Sequence, residues 1–436
     1  MRWFLISSDG DGLGIARRIV DEGWDVTAFI KNKKFAHDYD GLLKKADKII
    51  ASPDMLYLFD ATPGGKTADR LRAQGYPVLG ASVFAQQLEM DRHLALDLMK
   101  DAEIQVPPSQ HFTDFDAGIQ YTEAKADRLC YKSDNNNSMS YLASSADDMV
   151  EFLRLQQKQG ETADFELQDF VKGLEISTEV WMDGYDMSPP ANHTFEKKHL
   201  MNDDIGPASG CVGNVVWACT ETYCRICEEG IKRFIPMLRH HQYRGPIDLN
   251  TIVNDQGVWG LEWTPRFGFD AFPALMEMFT EPVSDTLVKF CRGERVEKFP
   301  IRDKGFAAGL RVTIPPYPFE EAEAPKGIAI RELVRADRQH AYFYNVLMDD
   351  EGVLRSSGGA GAIAVFTGFG DSVHDAMGKC EEIAQRVSLK DKMFRTDLGG
   401  RFSDDFSRFT SSREANRAGS AASDSNPLAS LASIAR

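Results

Sequence analysis

The stretch from Gly245 to Asp270 constrains the fold of this chain most, because its residue pattern is typical of a β-hairpin. Two strand-like runs, TIV and VWGLEW, flank NDQG, and Asn, Asp and Gly are common turn residues. Polar side chains recur along and just beyond both arms. They are Asp248, Asn250, Glu262, Thr264 and Arg266. Oxygen ligands on adjacent strands can hold Mg²⁺, which prefers carboxylates together with nucleotide phosphates. A surface hairpin without any ligand is the alternative.

The composition limits the class of protein. With 436 residues, 43% hydrophobic and 27% charged, the chain suits a globular protein of about two to four domains. Its formal net charge of −16 disfavours nucleic acid as a partner, because such proteins need clustered Lys and Arg. No apolar run could span a bilayer, and the opening MRWFLISSDGDG turns polar too soon for a secretory signal. We therefore expect a cytoplasmic protein without a membrane partner.

The cysteines indicate reduced thiols rather than a disulfide framework, because there are seven of them in a long chain. Cys224 and Cys227 form a CxxC within TYCRICEEGIKRF, where we predict a helix from Thr220 to His240. No second pair of cysteines at metal-binding spacing follows. The sequence therefore favours two ordinary helix positions over a zinc or redox site.

The amino-terminal residues predict a strand at 2–8, a glycine-rich loop at 9–14 and a helix at 15–22. Glycines let a backbone approach a phosphate, and a helix N-terminus favours an anion, but two aspartates in this loop would repel a phosphate. Phosphate binding and a plain tight turn both stay open. Residues 65–67 mimic the end of a P-loop, but the first glycine of that motif would fall at Asp60, so the motif fails.

Two strings carry a resemblance to a known family. GLEWTPRFG, residues 260–268, resembles V-I-E-F-N-C-R-F-G of the phosphoribosylamine–glycine ligases of the ATP-grasp superfamily, with Thr264 in place of Asn. EKKHLMNDDIGPASGCVGN, residues 196–214, resembles D-H-K-R-x-G-D-G-D-x-G-P-N-T-G-G-M-G of the same family. The resemblance extends through Arg401, but the amino-terminal domain diverges and lacks the family's phosphate-gripping G-N-G-G-R-E-H-A-L.

The resemblance implies an α/β fold with α+β lobes. It divides the chain into an amino-terminal α/β domain at 1–86, a two-lobed ATP-grasp domain at 87–306 and a small carboxy-terminal α+β domain at 307–401. The smaller lobe of the ATP-grasp domain is expected at 111–185. A tail at 402–436, rich in Ser, Ala, Asn and Asp without an apolar pattern, is predicted to be disordered.

The resemblance also implies how ATP and Mg²⁺, or Mn²⁺, would be bound. Arg92 and Lys132 take the places of phosphate-contacting lysines, and Ser138 lies in the loop that closes over the phosphates. Adenine would lie against the backbone of a short hinge, and Glu175 would accept hydrogen bonds from the ribose. The hinge residues are Leu167, Gln168, Asp169 and Phe170. The predicted metal ligands are Glu262, Asn250, Asp248 and Thr264.

The implied reaction is ATP-dependent ligation of an acid to an amine through an acyl phosphate. Arg266, Lys198 and Asp204 are the predicted catalytic residues. In the family the acid is glycine, the amine is 5-phosphoribosylamine, and the product, glycinamide ribonucleotide, belongs to purine synthesis. The partners are thus small molecules, and we expect a monomer or a homodimer.

Two alternatives to this reaction stay open. One is an ATP-grasp ligase for a different amino acid and amine, which the missing phosphate grip favours. The other is a nucleotide-binding relative without catalysis, which Thr264 and the glycine-poor loop around Ser138 favour.

Overall fold

The computed structural model describes residues 1–134, 140–319 and 322–423, and side chains as far as residue 411. Ser138 therefore lies outside the described residues.

The amino-terminal residues form a parallel sheet with helices. In chain order the elements are β1 (Arg2–Ser7), α1 (Leu13–Asp21), β2 (Val26–Ile30), β3 (Lys44–Lys45), β4 (Met55–Phe59), α2 (Gly65–Ala73) and β5 (Val78–Leu79). The strand order is β3-β2-β1-β4-β5. All five residues of β4 are buried, as expected for a parallel sheet that is covered on both faces. The predicted strand, loop and helix at the amino terminus are confirmed.

Two short helices, α3 (Val83–Met90) and α4 (Arg92–Asp101), lead out of this sheet. Asp91 separates them, because its carboxylate accepts a hydrogen bond from the N–H of Leu94 at 3.0 Å and caps α4. The predicted boundary at residues 86 and 87 falls inside α3.

The smaller lobe has a four-stranded antiparallel sheet and a core of its own. Its elements are β6 (Ser109–Phe112), α5 (Phe115–Lys125), β7 (Leu129–Ser133), β8 (Ser140–Leu142), α6 (Ala146–Gln159) and β9 (Phe165–Asp169). The strand order is β6-β9-β7-β8. Phe165 lies in the centre of the core, where the rings of Phe112, Phe115 and Tyr131 pack against it.

The remaining residues build one large sheet and the helices that cover it. Five strands and a helix come first: β10 (Leu174–Asp183), β11 (Met187–His199), β12 (Ala208–Cys219), α7 (Lys232–His240), β13 (Arg244–Asn254) and β14 (Gly257–Thr264). The next elements are α8 (Ala271–Leu275), α9 (Val283–Arg292), β15 (Phe306–Thr313), β16 (Ala329–Ile330), β17 (Ala341–Phe343), β18 (Val346–Met348), β19 (Leu354–Ser356), β20 (Ala362–Gly370), α10 (Val373–Arg386) and α11 (Leu398–Ser423). Short helical turns lie at Lys33–Phe35, Asn202–Asp204, Cys227–Ile231, Met276–Met278 and Arg335–His340.

The large sheet has eight strands in the order β14-β13-β10-β11-β12-β15-β20-β17, and β16, β19 and β18 form a small separate sheet. β12 pairs with β15, so strands from both sides of the predicted boundary at residue 306 belong to one continuous sheet. The division at that residue therefore stays a prediction from sequence similarity.

The prediction of disorder from residue 402 is wrong for the first part of that segment. Helix α11 continues to Ser423, and Phe402 and Phe409 are buried. The ring of Phe409 lies 5.7 Å from that of Trp217. The phenylalanines at 402, 406 and 409 are spaced as on one face of a helix, and they give α11 an apolar face. The many polar residues of the segment made this spacing easy to overlook. Among the described residues, no helix combines the length and the apolarity needed to traverse a bilayer.

Candidate active site

The predicted hairpin is present as β13 and β14, and its polar side chains lie in cross-strand pairs. Asp248 lies opposite Thr264, and Asn250 lies opposite Glu262. Because side chains alternate between the two faces of a strand, all four project from the same face. Directly opposed residues have Cβ atoms about 4.5–5.5 Å apart. The hairpin thus collects the four predicted metal ligands on one surface.

A β-bulge in β14 produces this arrangement. The register changes from Asn250 opposite Glu262 to Thr251 opposite Gly260, which makes Leu261 the additional residue. Without the bulge, Leu261 would lie opposite Asn250, and Glu262 would point to the other face.

Two oxygen atoms of this surface have no hydrogen-bond partner among the described residues. They are Oδ1 of Asp248 and Oδ1 of Asn250, and both are buried. Burial raises the pKa of Asp248 well above its usual value, and the carboxylates of Glu179 and Glu196 raise it further. A cation would supply a partner for the oxygen atoms and favour the charged carboxylate. The residues present therefore fit a divalent metal ion.

Basic side chains lie close to this acidic surface. Burial lowers the pKa of Lys132 on β7, and the attraction of Glu262 opposes that shift. Burial also acts against the charge of Lys198, but the carboxylates of Glu175 and Glu262 raise its pKa above the usual value. Arg92 begins α4, and its Nη1 atom is buried without a hydrogen-bond partner in the described parts of the chain. The combination of cations and unused donors is suited to phosphate oxygens.

Glu175, at the start of β10, joins two other predicted site residues. Its Oε1 atom accepts hydrogen bonds from Nζ of Lys198 at 2.7 Å and from Nδ2 of Asn250 at 3.1 Å. Burial opposes the ionisation of Glu175, but Lys198 holds its pKa below the usual value. The structure thus brings the three residues together, and their separate roles stay predictions.

The predicted adenine hinge lies on β9 and just after it. Leu167 is buried in the core of the smaller lobe, Asp169 pairs with Lys125, and an arginine guanidinium lies 4.0 Å from the ring centroid of Phe170. Gln168 points to the face opposite Leu167, and its Nε2 is buried without a partner among the described residues. Gln168 is therefore the hinge side chain with an unused donor.

Arg266, a predicted catalytic residue, lies just beyond β14. Its Nε donates to Oε1 of Glu89 at 3.1 Å, and its Nη1 donates to the carbonyl of Phe267 at 3.1 Å. The guanidinium also lies 4.1 Å from the ring centroid of Phe269. Because Glu89 belongs to α3, Arg266 connects the end of the hairpin to the helices that leave the amino-terminal sheet. Its catalytic role stays a prediction.

Asp204, also predicted to be catalytic, belongs to an ion-pair network. Its two carboxylate oxygens accept hydrogen bonds from Nη1 of Arg395 and from Nη1 of Arg401, each at 2.7 Å. Both arginines also donate to Asp397. These contacts tie the loop after β11 to the segment that leads into α11. They give Asp204 a structural role, and a catalytic one stays a prediction.

We expect the variant Arg395→Met to unfold with a free energy about 2 kcal/mol lower than the wild type, because it leaves partly buried carboxylates without their cation. The Arg395 side chain is 0% exposed, whereas that of Arg401 is 30% exposed, so Arg401→Met is the milder control. Denaturant unfolding measures the difference. Equal stability of Arg395→Met and wild type would contradict a structural network.

The pH dependence of this difference provides a second measurement. Burial opposes the ionisation of Asp397, but hydrogen bonds from Arg395, Asp203 and Arg401 hold its pKa below the usual value. A lowered carboxyl pKa contributes stability at neutral pH, and the contribution is lost as the pH falls below about 4. The difference in the free energy of unfolding between wild type and Arg395→Met should therefore become smaller at acidic pH.

Sequence reasoning missed two features near the site. One is Glu179, which is buried and lies opposite Asp248. Burial raises the pKa of Glu179 to about 7. Arg311 makes a bidentate pair with Asp270, with Nε 2.9 Å from Oδ2 and Nη2 donating to Oδ1. The polar residues at every second position of β10 could have revealed Glu179. Nothing in AAGLRVTIPP distinguishes Arg311.

Known proteins resemble this chain in sequence and in fold. No family model matches the chain. The chain is similar to the phosphoribosylamine–glycine ligase of Neisseria meningitidis serogroup B, with 24% identity over 344 residues that cover 76% of this chain and 80% of that protein. The ligase of Haemophilus influenzae is 23% identical over 346 residues, with coverage of 76% and 79%.

Among solved structures, the phosphoribosylamine–glycine ligase of Thermotoga maritima matches 91% of this chain and 100% of its own, with a TM-score of 0.70 and 19% identity. The chain has the ATP-grasp fold. N5-carboxyaminoimidazole ribonucleotide synthetase from the same organism matches with a TM-score of 0.55 and 11% identity, covering 89% of this chain and 99% of its own. The resemblance and the mixed α/β class predicted from the sequence are thus confirmed. Lys132 of the smaller lobe interacts with the charge of Glu262 in the hairpin.

Proposed function

We propose that this chain is an ATP-dependent carboxylate–amine ligase. The observation that carries the proposal is the pair of cross-strand contacts in the hairpin, Asp248 with Thr264 and Asn250 with Glu262, next to the cations Lys132 and Lys198. One surface thereby offers oxygen ligands for a metal ion, and Lys132 on β7 and Lys198 on β11 offer positive charge for phosphates. The similarity to phosphoribosylamine–glycine ligases supports the same reaction class.

Each component of Mg-ATP has residues suited to it. Lys132 and Arg92 would hold the phosphates, and Glu262 with Asn250 and Asp248 would hold Mg²⁺ or Mn²⁺. The hinge around Gln168 would hold adenine. A divalent ion, when bound, neutralises phosphate charge. The protein contributes by positioning the reactants and by stabilising the charge that develops during transfer.

The proposed reaction has two steps. The carboxylate of the acid attacks the terminal phosphorus of ATP, the bond to ADP breaks, and an acyl phosphate forms. The lone pair of the amine then attacks the acyl carbon, inorganic phosphate leaves, and an amide forms as the nitrogen loses a proton. Lys132 and Lys198, whose charges both interact with Glu262, would offset the negative charge of the first step. Such charge neutralisation is the main protein contribution to phosphoryl transfer.

The relatives support glycine as the acid and 5-phosphoribosylamine as the amine, so that the product would be glycinamide ribonucleotide. The test incubates the protein with Mg-ATP, glycine and freshly prepared phosphoribosylamine, and measures ADP and the product by mass spectrometry. Omission of the amine is the control. ADP release with another acid and amine, but not with this pair, would identify a different ligase. Absence of ADP release with any pair would favour a nucleotide-binding protein without catalysis. A cytoplasmic location and a monomeric or dimeric state remain predictions.

A different amine is the second candidate, and the amino-terminal loop favours it. The N–H of Gly12 donates to Oδ2 of Asp60 at 2.7 Å, and Oγ of Ser7 donates to the same oxygen at 2.5 Å. A carboxyl group of the protein itself thus occupies the N-terminus of α1, where a substrate phosphate would be attracted. A Cβ at Gly12 would lie 2.5 Å from Cβ of Asp60, so the close approach requires glycine.

Further carboxyl groups surround this loop. Burial raises the pKa of Asp11 and Asp38 to about 6 and that of Asp60 to about 7, and the charge of neighbouring aspartates contributes to each shift. Asp38 accepts hydrogen bonds from Asn345 at 2.9 Å and from Ser357. Arg311 and Arg266 oppose the shift of Asp11, and Lys45 opposes that of Asp38, so these cations offset part of the negative charge. The remaining carboxyl groups favour a cationic amine over a phosphorylated one.

We expect the KM for a cationic amine to fall about tenfold as the pH rises from about 5.5 to 7.5, because Asp11 and Asp38 become charged in that window. A phosphorylated amine should show the opposite trend, since its phosphate gains a second charge near pH 6. Asp11→Asn should flatten the profile. Asp54→Asn is the matched control, because Asp54 is exposed in the turn before β4. A KM for the amine that rises with pH would exclude the cationic substrate.

A further inference from the structure

Four side chains that bind metals in proteins converge on the face of the large sheet opposite the hairpin site. They are His193, Cys219, Cys224 and Cys227, and their ligand atoms all lie within 4.8 Å of one another. Sγ of Cys224 lies 3.4 Å from Nε2 of His193, and Sγ of Cys227 lies 3.9 Å from Sγ of Cys219. His193, Cys224 and Cys227 are buried. The thiols and the imidazole therefore form one compact group.

Strand pairing assembles this group from distant parts of the chain. In β11 and β12, Ala191 lies opposite Cys219 and His193 lies opposite Trp217, so His193 and Cys219 project from the same face. The helical segment begins only at residue 225, not at Thr220 as predicted. Cys224 therefore lies in the turn before it, and Cys227 opens the π-helical turn Cys227–Ile231.

The distances between the sulfur atoms distinguish the possible chemistries. A disulfide requires sulfur atoms about 2.05 Å apart, so 3.9 Å between Cys219 and Cys227 excludes a bond in this state. Two thiolates on one tetrahedral Zn²⁺, each with a bond of about 2.3 Å, would lie about 3.8 Å apart. The observed separation matches a metal-binding arrangement.

The imidazole is oriented for a metal by a second contact. Nδ1 of His193 lies 2.9 Å from Oγ1 of Thr178 on the neighbouring strand β10. If Nδ1 donates to this hydroxyl, Nε2 has its lone pair directed to the three cysteines. Metal-bound histidines commonly have such a partner, because it sets both the tautomer and the angle of the ring.

We propose that His193, Cys219, Cys224 and Cys227 bind one Zn²⁺ ion. Three thiolates and one neutral imidazole complete a tetrahedral shell of protein ligands, and such closed sites are structural rather than catalytic. Three thiolates with Zn²⁺ carry a net charge of −1, and Lys232, which also pairs with Glu228, borders the same cavity. The ion would fasten the π-helical turn and the start of α7 to the strands β11 and β12.

This site is independent of the proposed ligase reaction. Thr178 and His193 face one side of the sheet, and Glu179 and Asp248 face the other. Zinc binding can therefore be tested without any substrate, and its failure would leave the ligase proposal untouched.

The first test is metal analysis of the purified full-length protein by mass spectrometry, after production with zinc in the medium. We expect about one zinc ion per chain, retained through dialysis against a weak chelator. Titration of the thiols with a mercurial should release the zinc in proportion to the cysteines modified. Protein that contains no zinc and acquires none when refolded with Zn²⁺ would overturn the proposal, as would an intact mass that shows a disulfide among these cysteines.

The second test replaces one ligand. Cys224→Ser should reduce zinc content at least about tenfold, and Cys291→Ser should retain it, because Cys291 is a buried free thiol on α9 outside the cluster. Wild-type protein loaded with Co²⁺ should show the visible bands of tetrahedral thiolate coordination, even if Cys224→Ser fails to fold. Octahedral Co²⁺ bands, or full zinc content in Cys224→Ser, would contradict the ligand set.

Discussion

Replacing Lys132 by methionine is expected to lower kcat/KM for ATP about a hundredfold, the effect of removing one preorganised charge from a phosphate site. Lys132 interacts with Glu262 across the two lobes, and burial lowers its pKa. A buried cation is unfavourable until an anion joins it, so methionine should leave the melting temperature without ligand unchanged or slightly higher. ADP release and thermal unfolding measure the two quantities separately.

Lys158→Met is the matched control for this variant, because Lys158 is exposed on α6 of the same lobe. It should keep the kcat/KM for ATP of the wild type. If Lys132→Met loses much of its stability while ATP binding is intact, Lys132 is a structural lysine and the phosphate assignment is wrong.

Replacing Glu262 by glutamine is expected to lower ATP turnover by about tenfold to a hundredfold, corresponding to roughly 1.4–2.7 kcal/mol of lost transition-state stabilisation. The substitution keeps the shape of the side chain and removes the charge opposite Asn250. The concentration of Mg²⁺ that gives half-maximal turnover should rise as well, because an amide oxygen is a weaker ligand than a carboxylate. A titration with Mg²⁺ at saturating ATP measures both changes.

The control for Glu262→Gln is Asp255→Asn in the turn of the same hairpin, where the side chain is exposed. Its turnover and its Mg²⁺ dependence should equal those of the wild type. An unchanged Mg²⁺ dependence in Glu262→Gln would remove Glu262 from the metal site. Together, Lys132→Met and Glu262→Gln separate the proposed phosphate contact in the smaller lobe from the proposed metal contact in the hairpin.

Much of the site could be predicted from local sequence. The turn signal NDQG between two apolar runs specified the hairpin, and the polar residues along it specified which side chains could bind a cation. Local signals were sufficient because a tight turn sets the pairing of adjacent strands. The bulge at Leu261, which decides that Glu262 lies opposite Asn250, is not evident from the residue pattern.

Other features depend on pairs of residues that are distant in the chain. Asp60 was recognised only as a residue that spoils a P-loop motif, yet its carboxylate lies at the N-terminus of α1 and binds Gly12. The order β1 next to β4 brings them together, because parallel strands end at the same edge of the sheet. The carboxyl group of Asp60 thus takes the position at the N-terminus of α1 to which a substrate phosphate would be attracted.

Short-range patterns of apolar, turn and polar residues were enough to predict the α/β class, the hairpin with its polar residues and the resemblance to ATP-grasp ligases. They did not predict which distant residues would come into contact. Strand pairing placed His193 beside Cys219, and the segment after β12 brought Cys224 and Cys227, which looked like ordinary helix positions, to the same place. Side-chain hydrogen bonds joined Asp204 to Arg395 and Arg401, almost two hundred residues further along the chain. Ligand sets and ion pairs depend on distances in space, and long-range packing sets those distances, whereas local spacing along the chain does not.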